Sequence, residues 1–299
     1  MQKLQLFSLE GDFLRGNIHG HSTMSDGALT PQKVCERYRQ TGYDFLAVTD
    51  HFTSNYGFKI TDTSEFQGED FSTILGAEIH CGKTSQGEIW HILAVGLPLD
   101  FPPIEQFESA SDAVSKCIAS GAFVGIAHPH WYNLSVNDAL SLEKAHAVEI
   151  YNHLQHVSAD RGYGTTMWDA MLCADREVFG IAVDDSHWVH PDQFGGWVMV
   201  KVPHNKPHAI VKALKNGDFY SSQGPTFNSV SISREKLCAS FSPCDRITIV
   251  GPGSRRLGIS NSSMTQATLP LEKFANGWIR LTITDSAGKR AWLNPHYLD

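Results

Sequence analysis

The sequence contains no block of lysine or arginine anywhere in its 299 residues, and its formal net charge is −8. Wrapping a nucleic-acid backbone needs a basic stripe, so a nucleic-acid partner is not expected. An acidic surface still allows an anionic substrate, because bound cations reverse the local field. Long apolar runs are also missing. Residues 1–13 carry Glu10 and Asp12, so neither a signal peptide nor a membrane span is expected. No Cys-x-x-Cys pair occurs among Cys35, Cys81, Cys117, Cys173, Cys238 and Cys244. The chain is too large for a disulfide scaffold. Most of these cysteines lie in apolar runs, so buried free thiols and a reducing cytoplasm are expected. There is no internal repeat and no low-complexity segment. The length suits one large domain, or a large one plus a small one. Such a core needs no structural metal merely to hold it together.

What the sequence has in excess is histidine, with fifteen. Their positions follow an ordered pattern. From residue 17 to about 223, short apolar runs alternate with helical stretches. Residues 45–49, 74–78, 89–95, 123–127, 148–151 and 178–183 read as strands. A helix begins at Thr30-Pro31, a cap followed by a first-turn proline, and ends at Gly42. Further helices are expected over 104–119, 159–174 and 207–216. This alternation predicts an α/β fold with a mainly parallel sheet. After Gln223-Gly224-Pro225 the pattern changes to short alternating strands at 230–232, 247–249 and 279–283. Asp285-Ser286-Ala287-Gly288 reads as a hairpin turn. Two parts are therefore expected, 1–224 and a small antiparallel β domain over 225–299.

Six motifs carry chemistry. His19 and His21 in Asn17-Ile18-His19-Gly20-His21 would face one side of a strand end and make a bidentate metal site. Asp26 follows on the next loop. Asp50-His51 closes the strand 45–49, and Gly76-Ala77-Glu78 closes another. His91 sits inside the apolar run 89–93, where alone it reads as a core residue. Ala127-His128-Pro129-His130 and Asp184-Asp185-Ser186-His187 end two more strands. Ends of parallel strands are where such folds build active sites. Imidazole with bridging carboxylate suits zinc, manganese or iron, and so many donors suggest more than one ion.

The run His19-Gly20-His21, Ser25-Asp26-Gly27-Ala28-Leu29-Thr30-Pro31 and Thr49-Asp50-His51 resembles the signature of the PHP family, the polymerase and histidinol phosphatase domains. Gly76-Ala77-Glu78, His91, Ala127-His128-Pro129 and Asp185-Ser186-His187 match in order, so the resemblance covers residues 17–187. It implies a distorted (β/α)7 barrel, up to three metals and mostly phosphoester hydrolysis. Gly196-Trp197-Val198, residues 213–225 and Ala291-Trp292-Leu293-Asn294-Pro295 are similar to the CehA/McbA-like branch. That branch carries a small C-terminal antiparallel β-sandwich domain and includes enzymes linked to carbamate or amide substrates. Carried over, the resemblance puts His19, His21, Glu78 and Asp185 on one metal, with Glu78 bridging to a second held by His91 and His128. Asp26, His51 and His187 would hold a third. Asp26 stands where some members have histidine, which leaves the number at two or three divalent transition metals.

The expected function is a metal-dependent hydrolase of a small-molecule substrate, a phosphoesterase using a metal-bridged hydroxide. Asp26, His51 and His187 are the candidates to move a proton to the leaving group. The alternatives are a carbamate, amide or ester hydrolase on the same metals, or a non-catalytic metal-binding module. Lys59, Lys83 and Arg161 lie in stretches that could reach the rim, while each also reads as an ordinary surface charge. Trp131, Tyr132, Trp168 and Trp188 could stack an aromatic substrate, although Trp168 also reads as core. Tyr151-Asn152-His153 follows a strand toward the same place. Arg255-Arg256 reads as a solvated turn.

Overall fold

The computed structural model describes residues 4–8, 10–105 and 107–298. The strand Asp12–Asn17 pairs in parallel with Phe45–Val48, which pairs in parallel with Ser72–Cys81. Ser72–Cys81 then pairs antiparallel with Trp90–Val95, and Trp90–Val95 antiparallel with Phe123–Ile126. Parallel pairing resumes through Ala147–Asn152 to Phe179–Val183. Beyond their ends, the first and last of these strands meet at a parallel bridge between Gly20 and Ser186. Asp185 N donates to His19 O at 2.9 Å and His21 N to Ser186 O at 2.8 Å there. Most of these pairings are parallel, as the alternation implied, but Trp90–Val95 runs antiparallel to both of its neighbours and makes the sheet mixed. The connection over 82–89 holds no helix, and without a crossover helix the chain can only return antiparallel.

The helices follow their capping chemistry. Pro31–Gln40 opens on Thr30, whose side chain accepts from Lys33 N, and it buries Val34, Cys35 and Tyr38. Just beyond it Gly42 takes φ +79°, a left-handed conformation that glycine adopts without a steric cost. Pro207–Asn216 forms as expected. The helix expected over 104–119 is shorter, Ala110–Ala119, because Ser109 caps it by accepting from Asp112 N. Gln106, inside the expected span, lies outside the described residues. The helix expected over 159–174 is Thr165–Cys173, preceded by a separate helix His153–Ala159. The break falls at Asp160, which takes φ +55°.

From residue 225 the chain is antiparallel, through Phe227–Ile232, Lys236–Val250, Arg256–Pro270, Gly277–Thr284 and Arg290–Leu293. Lys236–Val250 and Arg256–Pro270 form a hairpin far longer than the short strands expected. Asp285 turns the next hairpin: its Oδ1 accepts from Ala287 N and Lys289 N. These strands close over their own core, which includes Val230, Phe241, Ile247, Leu281 and Ile283. Two features cross the expected boundary. Leu4–Leu6 pairs with Phe227–Ile232, and Phe219–Ser222 pairs with both Trp197–Val202 and Arg290–Leu293. Residues 1–3 and Asp299, at the outer ends of the two expected parts, lie outside the described residues. All six cysteines are free, with Cys35, Cys81, Cys117 and Cys244 buried. Among the described residues no helix is long and apolar enough to cross a membrane.

Candidate metal centre

The rim where Gly20 meets Ser186 collects the histidine motifs. Asn17 is the last residue of its strand, and the bridge at Gly20 keeps the next turn of chain extended. His19 and His21 therefore project together: their Nε2 atoms lie 3.3 and 3.1 Å from Asp185 Oδ1, and 3.6 and 3.5 Å from Glu78 Oε2. Donors bound tetrahedrally to one ion by bonds of ~2.0–2.2 Å stand ~3.3–3.6 Å apart, so these spacings suit a single cation. The other oxygen of Glu78, Oε1, is 2.7 Å from His91 Nδ1 and 2.9 Å from His128 Nε2. Asp26 lies 3.3 Å from His51 Nε2 and 3.4 Å from His187 Nε2. All nine residues singled out in the sequence, His19, His21, Asp26, His51, Glu78, His91, His128, Asp185 and His187, are brought into one cluster.

Glu78 is not at a strand end. It lies within the ten-residue strand Ser72–Cys81, which pairs with Phe45–Val48 through its first half and with His51–Phe52 through Glu78 and Ile79. Between the two halves sits Gly76, where an added Cβ would stand 2.6 Å from Ala94 O. Because the strand continues, His80 projects to the same side as Glu78. Its Nε2 is 3.7 Å from Glu78 Oε2, and its ring centroid is 4.5 Å from that of His51 and 3.9 Å from that of His91. The spacing Glu78-Ile79-His80 could have signalled this once the strand was extended by two residues.

A surrounding set of polar groups orients the donors. Glu149 Oε1 lies 2.6 Å from His19 Nδ1, which holds the proton on Nδ1 and leaves Nε2 facing the cluster. Glu149 Oε2 accepts from His128 N at 2.8 Å and from Asn152 Nδ2 at 2.9 Å. Asn152 Nδ2 also lies 3.1 Å from Asp185 Oδ2. Asp50 accepts from Ser22 N, Ser22 Oγ, Ser25 Oγ and Thr61 Oγ1, which ties the loop bearing Asp26 to the strand end. Asp184 accepts from Tyr38 OH and from the main-chain N–H groups of Phe194, Gly195 and Gly196. Neither Glu149 nor most of these anchoring contacts are legible in a local motif, because Glu149 is 130 residues from His19 and the Tyr38 and Asp184 pair 146 apart.

Burial and charge pull in opposite directions here. Burial alone would lower the His51 imidazole, but the Glu78 and Asp26 carboxylates beside it raise it to about 10. Burial likewise opposes, and Asp26 and Asp185 outweigh it, to raise His187 to about 9. His21 falls to about 4, through burial and the neighbouring His187 and His51, against the pull of Asp185. Burial brings His91 to about 4 as well, despite Glu78. Burial would raise Glu78, Asp185 and Asp26, yet the surrounding imidazoles hold all three below the usual carboxylate range.

The donor set fits a divalent cation. His19 Nε2 and His80 Nε2 are buried and make no hydrogen bond, and the buried His51 Nδ1 and Glu78 Oε2 have only each other, 2.8 Å apart. Buried polar atoms left unpaired are costly and uncommon, and here they point at one another. Cations between them would satisfy all four. His128 and Asp185 moreover hold left-handed backbone, φ +23° and +56°, and such strain concentrates at functional sites.

The other candidates divide. Trp131 is 41% exposed, with its ring centroid 5.4 Å from that of His91 and 5.2 Å from that of His128. Tyr132 is buried beside the same two rings. Arg161 Nη1 donates to Trp131 O at 2.8 Å, and Lys83 lines an adjoining cavity. Trp168 is core: it is fully buried, and its Nε1 donates to Val178 O. Trp188 packs on Tyr38 and Phe194 behind the cluster. Tyr151 OH bonds to His153 Nδ1, and His153 packs against Gly195, so of residues 151–153 only Asn152 contacts the cluster.

No protein-family model matches the chain, and no curated protein sequence does. Solved structures do match. An amidohydrolase from Chromobacterium violaceum, with bound sulfate and no metal, aligns at 15% identity and a TM-score of 0.44, covering 59% of this chain and 89% of its own. A two-domain protein from Bacteroides vulgatus, containing a predicted PHP-like metal-dependent phosphoesterase, aligns over 91% of each chain at 18% identity, with a TM-score of 0.54. At that identity the shared property is the fold: this chain is built on the mixed α/β plan of the PHP-like two-domain protein.

Proposed function

We propose that this chain is a metal-dependent hydrolase of the PHP type, acting as a phosphoesterase on a small-molecule substrate. The observation that carries the reading is the convergence of His19, His21, His51, His80, His91, His128 and His187 on Asp26, Glu78 and Asp185, with His19 Nε2 and His80 Nε2 buried and without a hydrogen bond. In this reading residues 1–224 form a distorted (β/α)7 barrel and 225–299 a small β-sandwich domain, as in the CehA/McbA-like branch. Free cysteines suit a reducing cytoplasm.

Two or three divalent ions, zinc, manganese or iron, would be held here. His19, His21, Glu78 and Asp185 would take one, Glu78, His91 and His128 a second, and Asp26, His51 and His187 a third, with His80 as a further donor. When bound, such cations acidify a water and neutralise charge developing on the attacked group. The chain's own part is orientation and proton movement. Glu149 fixes the His19 tautomer. Asp26, the most exposed carboxylate of the cluster, lies within reach of both His51 Nε2 and His187 Nε2, so this trio is placed to pass a proton to a leaving group.

One observation favours carbamate, amide or ester hydrolysis as a second reading. Among the described residues no lysine or arginine forms an ion pair with Asp26, Glu78 or Asp185, whereas a phosphate dianion is commonly gripped by such groups. The experiment that tests both is a screen of phosphomonoesters, phosphodiesters, carbamates, amides and carboxylic esters with protein loaded with manganese or zinc. Turnover of phosphoesters supports the first reading, turnover of carbonyl substrates alone supports the second, and no turnover of any class defeats both.

A further inference from the structure

Next to the cluster lies a cavity of about 470 Å³, within the ~300–1,000 Å³ range that takes small-molecule ligands. The cavity and the cluster share His80, which lines the cavity and has its ring centroid 4.5 Å from that of His51 and 3.9 Å from that of His91. The rest of the lining is largely apolar, with Phe58 and Ile104 inside and Ile89 and Phe107 at the mouth. Ile89 is 41% exposed and Phe107 92% exposed. A single exposed apolar side chain calls for no explanation, but two bordering one cavity beside a reactive cluster do. Lys83 is the only lysine or arginine of the lining and forms no ion pair among the described residues. An unpaired ammonium beside an apolar cavity complements a molecule that is anionic at one end and hydrocarbon along the other.

We propose that this cavity is the subsite for an alkyl substituent of an anionic ester substrate, whose reacting group lies at the cluster alongside His80. The inference rests on the hydrolase reading above and adds a substrate class to it. The substituent gains affinity by leaving water, at roughly fourfold for each methylene buried. Small polar esters gain nothing from the cavity and are poor substrates.

Calorimetric titration of metal-loaded protein with methyl-, butyl- and octylphosphonate, which cannot be hydrolysed, reads the subsite directly. Affinity is expected to rise from methyl to octyl by at least about a hundredfold. The double variant Ile89→Asn, Phe107→Ser alters exposed positions only, so circular dichroism should match the parent. Its octyl-to-methyl affinity ratio should fall at least about tenfold, because the mouth no longer shelters the chain. Flat affinity along the series, an unchanged ratio in the variant, or no phosphonate binding would each overturn the subsite. The hydrolase reading fails separately: if no ester is turned over while the chain-length dependence persists, the cavity binds alkyl anions but the cluster is not hydrolytic.

Discussion

His187 Nδ1 lies 2.8 Å from the main-chain carbonyl of Asp185, two residues before it. That hydrogen bond holds the proton on Nδ1 and turns Nε2 toward Asp26, 3.4 Å away. The Asp185 carboxylate faces His19 and His21 instead. Strand alternation does not produce this divergence. The strand ends at Val183, and Asp185 takes φ +56°, so the two side chains leave in different directions.

Asp185→Ala and His187→Ala should therefore lose different ions. Elemental analysis and a crystal structure of each variant check this. The Asp185 variant is expected to lose the ion near His19 and His21, and the His187 variant the ion near Asp26 and His51. If both empty one and the same site, the division into separate ions is wrong.

Glu78→Gln should cut hydrolysis by ~10²–10³-fold, far out of proportion to any change in melting temperature. Glu78 presents one oxygen to His19 and His21 and the other to His91 and His128. An amide of the same shape keeps the packing but neutralises no cation. Proportional losses of activity and stability would make Glu78 a structural residue.

His80→Ala should weaken metal binding without emptying the site near His19, since His80 Nε2 groups with His51 and Glu78 and not with His19, although Glu78 Oε2 borders both. Competition with a chromophoric chelator measures the change. Unaltered affinity for every ion would remove His80 from the donor set.

Glu149→Gln should lower metal affinity by ~10–100-fold, as expected when the partner that orients a ligating imidazole is weakened. Glu149 touches His19 through Nδ1, on the far side of the ring from the cluster. Titration of the metal-free variant is the measurement, and affinity equal to the parent would show that the His19 tautomer is set by other contacts.

The metal-free protein should become less stable as pH rises from about 6.5 to 10. The folded values for His51 and His187, about 10 and about 9, lie above the ordinary 6.5. Their stabilisation is fully present below 6.5 and is lost as pH climbs through 9 to 10. Metal binding near pH 7.5 must then expel protons from both rings, so the calorimetric heat should depend on the buffer's ionisation enthalpy. A melting temperature in chelator that is flat or rising over this range would contradict the assignment.

Much of the cluster is legible in the sequence because its motifs are local. A strand followed by His19-Gly20-His21, Asp50-His51 or His128 announces itself through hydrophobic run and polar end, and the cap at Thr30 and the first-turn proline Pro207 follow from side-chain and backbone chemistry within one turn. What the sequence alone determined was therefore the order of the nine candidate residues that cluster, the strands near them, and the change to antiparallel pairing after residue 225. Tertiary structure decided the rest. Strand direction at Trp90–Val95, the bridge from Gly20 to Ser186, the reach of Ser72–Cys81 that brings His80 beside Glu78, and the contact of Glu149 with His19 all join residues far apart in the chain. Local periodicity gives each strand its two faces, but which faces meet depends on register between distant strands, and that is set only when the whole sheet closes.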